Sequence, residues 1–258
     1  MKLSTETIGA GPDLVLLHGW GMNAAVWSPL VESLKQRFRV TLIEMPGHGG
    51  SDYAPEMQRF EDWVDSCLEA APESAIWIGW SLGGLLAQRA AMKAPGRVNR
   101  LAVVTSTPRF VKEGAWKHAM ERGVLRQFAE ALVKDPAQTL GRFLSLQTQG
   151  DDGAREALRT LRRDVAAKPE PSPHALEHGL DMLLTVDLRQ QLSSIVCPVL
   201  WLLGERDTLA PAAVAEDIRS LMPKAEIEVI PGAAHAPFLS HPEACLKALG
   251  HFLGSTNE

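Results

Sequence analysis

Residues 75–93 read Ala75-Ile76-Trp77-Ile78-Gly79-Trp80-Ser81-Leu82-Gly83-Gly84-Leu85-Leu86-Ala87-Gln88-Arg89-Ala90-Ala91-Met92-Lys93. Ala75 to Ile78 is a short apolar run free of turn formers, which fits a buried strand. From Leu82 onward leucine and alanine dominate, which fits a helix. Between them lies Gly79-Trp80-Ser81-Leu82-Gly83, a G-x-S-x-G sequence in the strand-to-helix setting of a nucleophile elbow. Such a sharp turn brings backbone against backbone, so glycine must flank the serine. The helix start behind Ser81 offers free N–H groups and the positive end of a dipole, where negative charge is favoured. The pattern by itself also spells a plain tight turn with an idle serine; the flanking strand and helix favour a nucleophile.

The same punctuation recurs outward from this stretch. Leu14–Leu17 stops at His18-Gly19, Val40–Ile43 near Pro46-Gly47, Leu101–Val104 at Thr105-Ser106, Val199–Leu203 at Gly204, and Ile227–Ile230 at Pro231-Gly232. Runs of this kind fit strands covered on both faces of a parallel sheet. Helical patterns lie between them, as in Trp27–Gln36, Phe60–Ala70, Leu82–Lys93 and Ala213–Leu221. The alternation predicts an α/β, mostly parallel, doubly wound sheet, with ligands beyond the carboxyl ends of its strands. Residues 109–188 break the alternation and show only helical periodicity. The expected organisation is therefore a core of residues 1–108 and 189–258, with a helical lid, 109–188, inserted between late strands.

The chain has 258 residues, 45% hydrophobic and 22% charged, enough for one substantial core. A net charge of -5 argues against general nucleic-acid binding. The charge is uneven. Residues 109–168 hold 12 Lys+Arg and 8 Asp+Glu, a net of +4, and the remainder holds 14 and 23, a net of -9. Cys67, Cys197 and Cys245 suggest neither a disulfide framework nor zinc spacing. The polar N-terminus and the shortness of the first apolar run point to a cytoplasmic protein without a membrane span, and a monomer is expected.

A serine hydroxyl needs a base. In this arrangement the partners follow in the order Ser, Asp or Glu, His. His235, in the small-residue loop Gly232-Ala233-Ala234-His235-Ala236-Pro237 after the last strand, is favoured over His241 and His251. The loop after Val199–Leu203 offers Glu205 and Asp207. Asp207 lies deeper and is preferred as the acid that orients the imidazole. Backbone N–H groups of Leu82 and of Trp20, in His18-Gly19-Trp20-Gly21, are the candidate oxyanion donors. No metal or organic cofactor is needed for this chemistry.

These residues resemble the α/β-hydrolase superfamily over nearly the whole chain. The resemblance runs through His18-Gly19, Pro46-Gly47-His48-Gly49-Gly50-Ser51, the Ser81 elbow, Asp207 and His235. Glu44 stands where that family usually has Asp. A narrower resemblance is to the carboxylesterases of biotin biosynthesis, which hydrolyse the methyl ester of pimeloyl-[acyl-carrier protein]. It is carried by Leu16–Asn23, Ile76–Gly84, Arg142–Thr148, Thr185–Arg189 and Ala234–Pro242. It implies that Trp20, Ser81, Leu82, Phe143, Leu144, Ser145, Leu146, Gln147 and His235 contact the acyl substrate.

An acyl-carrier protein is acidic and its prosthetic arm carries a phosphate, so the basic stretch 109–168 of the lid suits such a partner. Arg155, Arg159 and Arg162 or Arg163 share one helical face, with Arg142 nearby in sequence. Arg142, Arg155 and Arg159 are the expected docking residues, because guanidinium pairs with carboxylate and phosphate in bidentate fashion. A broad esterase or lactonase for small free esters would use the same triad. A non-catalytic receptor of the same fold would lack part of it.

Overall fold

The computed structural model describes residues 2–54, 56–147, 151, 158, 159, 162, 163 and 165–254. Seven strands form one sheet: β1 (Thr5–Ile8), β2 (Asp13–Leu17), β3 (Arg39–Ile43), β4 (Ala75–Trp80), β5 (Val98–Val104), β6 (Val199–Gly204) and β7 (Glu226–Ile230), in the spatial order β1-β3-β2-β4-β5-β6-β7. Only β1 runs antiparallel, pairing with β3. The order reverses between β2 and β4. A crevice opens at such a switch point, because the chain leaves the two neighbouring strands in opposite directions.

The apolar runs became strands because both faces are covered. Side chains alternate across the pleat. Val15, Leu17, Ile43, Trp77, Leu101, Val103, Trp201 and Leu203 fill one cluster. Leu14, Leu16, Val40, Leu42, Ile76, Ile78, Ala102, Val104, Leu200 and Leu202 fill the other. Helices α1 (Ser28–Leu34) and, later in the chain, Pro242–Gly254 cover the second face through Leu30, Val31, Leu249 and Phe252. Helices α2 (Phe60–Ala70) and α3 (Leu82–Lys93) cover the first through Trp63, Val64, Leu85 and Leu86.

Two edges depart from expectation. Thr5–Ile8 is too polar to read as a strand, yet it closes the sheet beyond β3 as a largely exposed edge. β7 was expected to be covered on both faces, but only Ile230 is buried. Glu226 and Glu228 sit on this outer strand, where charge discourages pairing with another sheet.

Among the described residues, nothing between Val104 and Val199 forms a strand beyond isolated bridges at Val111–Met120 and Glu113–Trp116. Helices α4 (Arg122–Lys134), α5 (Pro136–Gln147) and α6 (Pro173–Thr185) fill that interval. Their buried residues Leu125, Phe143, Ala175, Leu176 and Leu180 join the same apolar cluster as the first sheet face. The chain then passes through a short 3-10 turn, Arg189–Ser194, to β6, α7 (Val214–Leu221), β7, the single turn α8 (Pro237–Ser240) and α9 (Pro242–Gly254). No helix among the described residues is long and apolar enough to cross a membrane.

Gly83 lets α3 start hard against the end of β2. A Cβ there would strike the carbonyl oxygens of Leu17 and His18, which are backbone and cannot swing aside. Gly83→Ala should therefore lower stability by at least about 1–3 kcal/mol in a denaturant titration. Gly250 lies within α9 with nothing within 4 Å of an added Cβ. Gly250→Ala should raise stability by roughly 0.5–1 kcal/mol.

Candidate active site

Ser81 occupies the bend between β4 and α3 with φ 55° and ψ -120°. A non-glycine residue in this region carries strain of about 1–3 kcal/mol and persists only where its surroundings fix it. They do. Ser81 N–H donates to Val104 O at 3.1 Å, and its carbonyl accepts Leu85 N–H at 3.1 Å and Ser106 Oγ at 2.7 Å. The outcome is a hydroxyl held above the sheet at the start of a helix.

β6 and β7 deliver the other two members. Their pairing sets Gly204 opposite Ile230, so the loops that follow lie side by side. His235 Nδ1 donates to Asp207 Oδ2 at 2.8 Å, and His235 Nε2 accepts from Ser81 Oγ at 3.0 Å. The second Asp207 oxygen accepts the N–H groups of Leu209 at 2.8 Å and Ala210 at 3.0 Å. All three residues are buried. Glu205, the other acid considered, instead accepts Gly232 N–H at 2.7 Å and stays at the surface. His241 faces Ser240 and Asp151, and His251 lies exposed on α9.

The backbone of His235 is fixed separately from its ring. Its carbonyl accepts both Trp80 Nε1 at 2.8 Å and Thr105 Oγ1 at 2.6 Å, and its N–H donates to Gln147 O at 3.1 Å. Phe238 packs edge-on against the Trp80 indole, with centroids 5.0 Å apart. The variable residue of the elbow is thus a clamp on the histidine loop, a role that the motif does not reveal.

Across the switch point, the loop after β2 approaches Ser81. A Cβ on Gly19 would lie 3.3 Å from the Ser81 Cβ. Trp20 follows, fully buried, its indole N–H donating to Leu176 O on α6 at 2.8 Å and its ring edge-on to Phe143 at 4.8 Å. Two histidines brace this loop from below. His48 Nε2 accepts Gly21 N–H at 3.2 Å, and His18 Nε2 accepts Met45 N–H at 3.0 Å. Each Nδ1 must then carry the proton, donating to Pro46 O and Gly19 O respectively, both at 2.9 Å. A second proton on either ring would set N–H against N–H.

The expected substrate contacts on α5 divide by helical face. Phe143 and Gln147, one turn apart, are buried and meet Trp20 and the His235 loop. The Gln147 side-chain oxygen has no hydrogen-bond partner among the described residues. Leu144 packs toward the apolar cluster on the second sheet face. Ser145 and Leu146 do not join Phe143 and Gln147. With Phe128, Gln138, Gly141 and Arg142 they line an outer groove of about 830 Å³. Arg142 and Arg159 are exposed, and Arg162 donates to Ser145 Oγ at 3.2 Å. Arg155 lies outside the described residues. Among the described residues no group of three or more His, Cys, Asp or Glu side chains is placed to hold a metal ion.

Burial is the main cause that holds His18 down to about 4 and His48 down to about 3; repulsion from His18 adds to the effect at His48. Both values lie below the usual 6.5. Between about pH 6.5 and pH 4 the unfolded chain therefore binds protons that the folded chain refuses. Stability must fall as pH drops through that window, by up to about 1.4 kcal/mol per pH unit for each histidine. The melting temperature, followed from pH 7 to pH 4, should fall more steeply for the wild type than for His48→Gln, which keeps an acceptor for Gly21 N–H. Parallel curves would count against neutral histidines as the brace.

The sequence profile of the α/β hydrolase fold family matches residues 12–242. The pimeloyl-[acyl-carrier protein] methyl ester esterase of Aliivibrio salmonicida is 42% identical over 100% of this chain and 98% of its own length. The esterases of the same name from Photobacterium profundum and Xanthomonas oryzae are 44% and 43% identical over 97% of this chain and 98% of theirs. Among solved structures, an esterase from Exiguobacterium antarcticum superimposes with a TM-score of 0.89 at 20% identity, covering 98% of this chain and 96% of that one. A bromoperoxidase from Bacillus anthracis reaches 0.88 at 21% identity, covering 98% and 95%; at such identities the likeness speaks for the fold alone. The chain belongs to the α/β hydrolase fold family and, within it, to the family of the pimeloyl-[acyl-carrier protein] methyl ester esterases.

Proposed function

We propose that this protein is a serine carboxylesterase that hydrolyses the methyl ester of pimeloyl-[acyl-carrier protein], a step of biotin biosynthesis. The observation that carries the chemistry is His235, hydrogen-bonded to Ser81 Oγ on one side and to Asp207 on the other. The substrate comes from relatives that share 41–44% identity over nearly the full chain. A buried, oriented triad is what a non-catalytic receptor would have no use for.

In the first half-reaction Ser81 Oγ attacks the ester carbonyl carbon while His235 Nε2 takes the hydroxyl proton. Asp207 holds the imidazole in the required tautomer and stabilises the imidazolium. The N–H groups of Leu82 and Trp20 receive the oxyanion, each worth roughly 3 kcal/mol in the transition state. The tetrahedral species collapses, His235 returns the proton to the leaving oxygen, and methanol departs. Water then attacks the acyl-enzyme with His235 again as base, releasing the carboxylate and restoring Ser81. Protein groups supply every step, with neither metal nor organic cofactor.

Trp20, Leu82, Phe143 and Gln147 bound the acyl chain in this proposal. The Gln147 carboxamide can turn either its oxygen or its NH2 group toward the bound chain. Leu144, Ser145 and Leu146 take the outer part of the route. Residues 109–188 form the lid, and the net positive charge of its first part, residues 109–168, receives an acidic carrier through Arg142, Arg155 and Arg159. A monomer in the cytoplasm suits a carrier-borne substrate.

Ser81→Ala should abolish turnover with the far-ultraviolet circular dichroism unchanged. Asp207→Asn should lower kcat by roughly three to four orders of magnitude. Full hydrolysis by Ser81→Ala would sink the assignment. For the carrier, Arg142→Glu with Arg159→Glu should reduce kcat/KM for the carrier-linked methyl ester at least about tenfold, and more at low ionic strength. The same variant should leave the rate on a short p-nitrophenyl ester within about twofold. Equal loss on both substrates would remove these arginines from docking, and no preference of the wild type for the carrier-linked ester would leave an esterase of small free esters.

A further inference from the structure

Away from the triad, one buried carboxylate joins the sheet to the helical region. Glu44 follows β3 and is 3% exposed. Its Oε2 accepts Ala24 N–H at 3.0 Å, and its Oε1 accepts Lys168 Nζ at 2.5 Å. The chain folds tightly round it: a Cβ on Gly49, which has φ 53°, would strike the carboxylate itself. His18 Nε2 lies 3.5 Å from Oε2 but accepts Met45 N–H, so it brings no proton to the pair. Among the described residues Lys168 is therefore the cation that balances this charge.

Each partner of Glu44 belongs to a different part of the site. Ala24 directly follows the loop Gly19–Asn23 that carries the Trp20 N–H and opens the short 3-10 helix Ala24–Trp27. Lys168 belongs to the stretch between α5 and α6. Nearby, Asn23 Nδ2 donates to Val165 O at 3.0 Å and Ser172 N–H donates to Gly47 O at 2.7 Å. Residues 165–172 are thus tied to the loops after β2 and β3 at three points, and only one of them carries charge. The usual Asp of the superfamily is one methylene shorter, so Glu44 has the greater reach toward both partners.

We propose that Glu44 and Lys168 are a positioning pair, which sets the oxyanion loop and couples its geometry to the helical region above it. The proposal rests on the Ser81 esterase mechanism and adds to it two residues that touch neither substrate nor triad. Without Lys168, a carboxylate buried with one N–H partner is poorly compensated. It turns toward water or takes up a proton, and either change loosens Ala24 and the donor four residues before it. Loss of one oxyanion donor costs roughly 10²–10³ in rate, so partial misplacement should still be measurable.

The test uses the full-length protein and two readouts: hydrolysis of a short free ester, and the rate at which a fluorophosphonate labels Ser81. The second readout needs no natural substrate. Lys168→Met should lower kcat and the labelling rate together, by about tenfold or more, with KM within about twofold. Lys168→Arg should restore both to within about threefold, because a cation returns. Lys168→Gln should fall between them, and it keeps the comparison decisive if Lys168→Met does not fold. Adding Glu44→Gln to Lys168→Met should cost little more, since the two act as a unit.

Equal labelling rates across the Lys168 series would overturn the pair. So would a loss confined to KM for the carrier-linked ester, which would make Lys168 a docking cation. A wild type that neither hydrolyses esters nor reacts with the phosphonate would instead overturn the esterase assignment. The two failures are therefore separable.

Discussion

The backbone of Ser81 is held at a positive φ that a serine does not choose. The rest of the site follows from the forces that keep it there. β4 must end against β5, so that Ser81 N–H finds Val104 O, and α3 must begin at once, so that Leu85 N–H finds Ser81 O. Those demands leave no space for side chains at Gly79 and Gly83, where an added Cβ would meet Gly83 O in the first case and His18 O in the second. The strain is offset by a core buried on both faces of the sheet. In the proposed mechanism a rigid elbow spares the hydroxyl any reorganisation at the moment of attack.

The two neighbours of β4, β2 and β5, help to hold the surroundings of the partners that β6 and β7 deliver. β2 lies beside β4 at the point where strand order reverses, so its following loop meets the start of α3. Thr105 directly follows β5 and its hydroxyl donates to His235 O, and Trp80 at the end of β4 donates to that same oxygen. Two donors on one carbonyl, with Asp207 on the ring, fix both the backbone and the plane of the imidazole. Precision here comes from hydrogen bonds that converge on a loop, since α8 beyond it is only a single turn.

Strands β2 to β6, and the three residues Ser81, Asp207 and His235 that the fold brings into one hydrogen-bonded row, were legible because each is spelled locally. An apolar run followed by a glycine-rich turn is a strand end; chain order narrows the histidines to His235, His241 and His251, the small-residue loop favours His235, and depth in its loop favours Asp207 over Glu205. β1 was not legible, because Thr5–Ile8 is a strand only through its pairing with β3. The exposure of β7 was hidden for the related reason that an edge position is set by topology rather than by composition. On α5, sequence proximity grouped Phe143 to Gln147, whereas helical geometry parts them: positions one turn apart face the site, and Ser145 and Leu146 face outward. Trp80, His48, Glu44 and Lys168 act through contacts between distant segments, so local sequence does not spell what they do.

The layer beneath the loop after β2 follows a distinct electrostatic rule. Two imidazoles are buried there, and both are kept neutral by taking a backbone N–H on Nε2. Had either been charged, it would have balanced Glu44 and left Lys168 without a task. Because both accept rather than donate at that nitrogen, the carboxylate must look beyond the layer for its counter-ion, and it finds one in the helical region. The positive charge of Lys168 in turn adds, after burial, to what keeps His18 unprotonated. Neutral histidines, buried carboxylate and overlying lysine therefore support one another. The loop that carries Trp20 inherits its shape from all three.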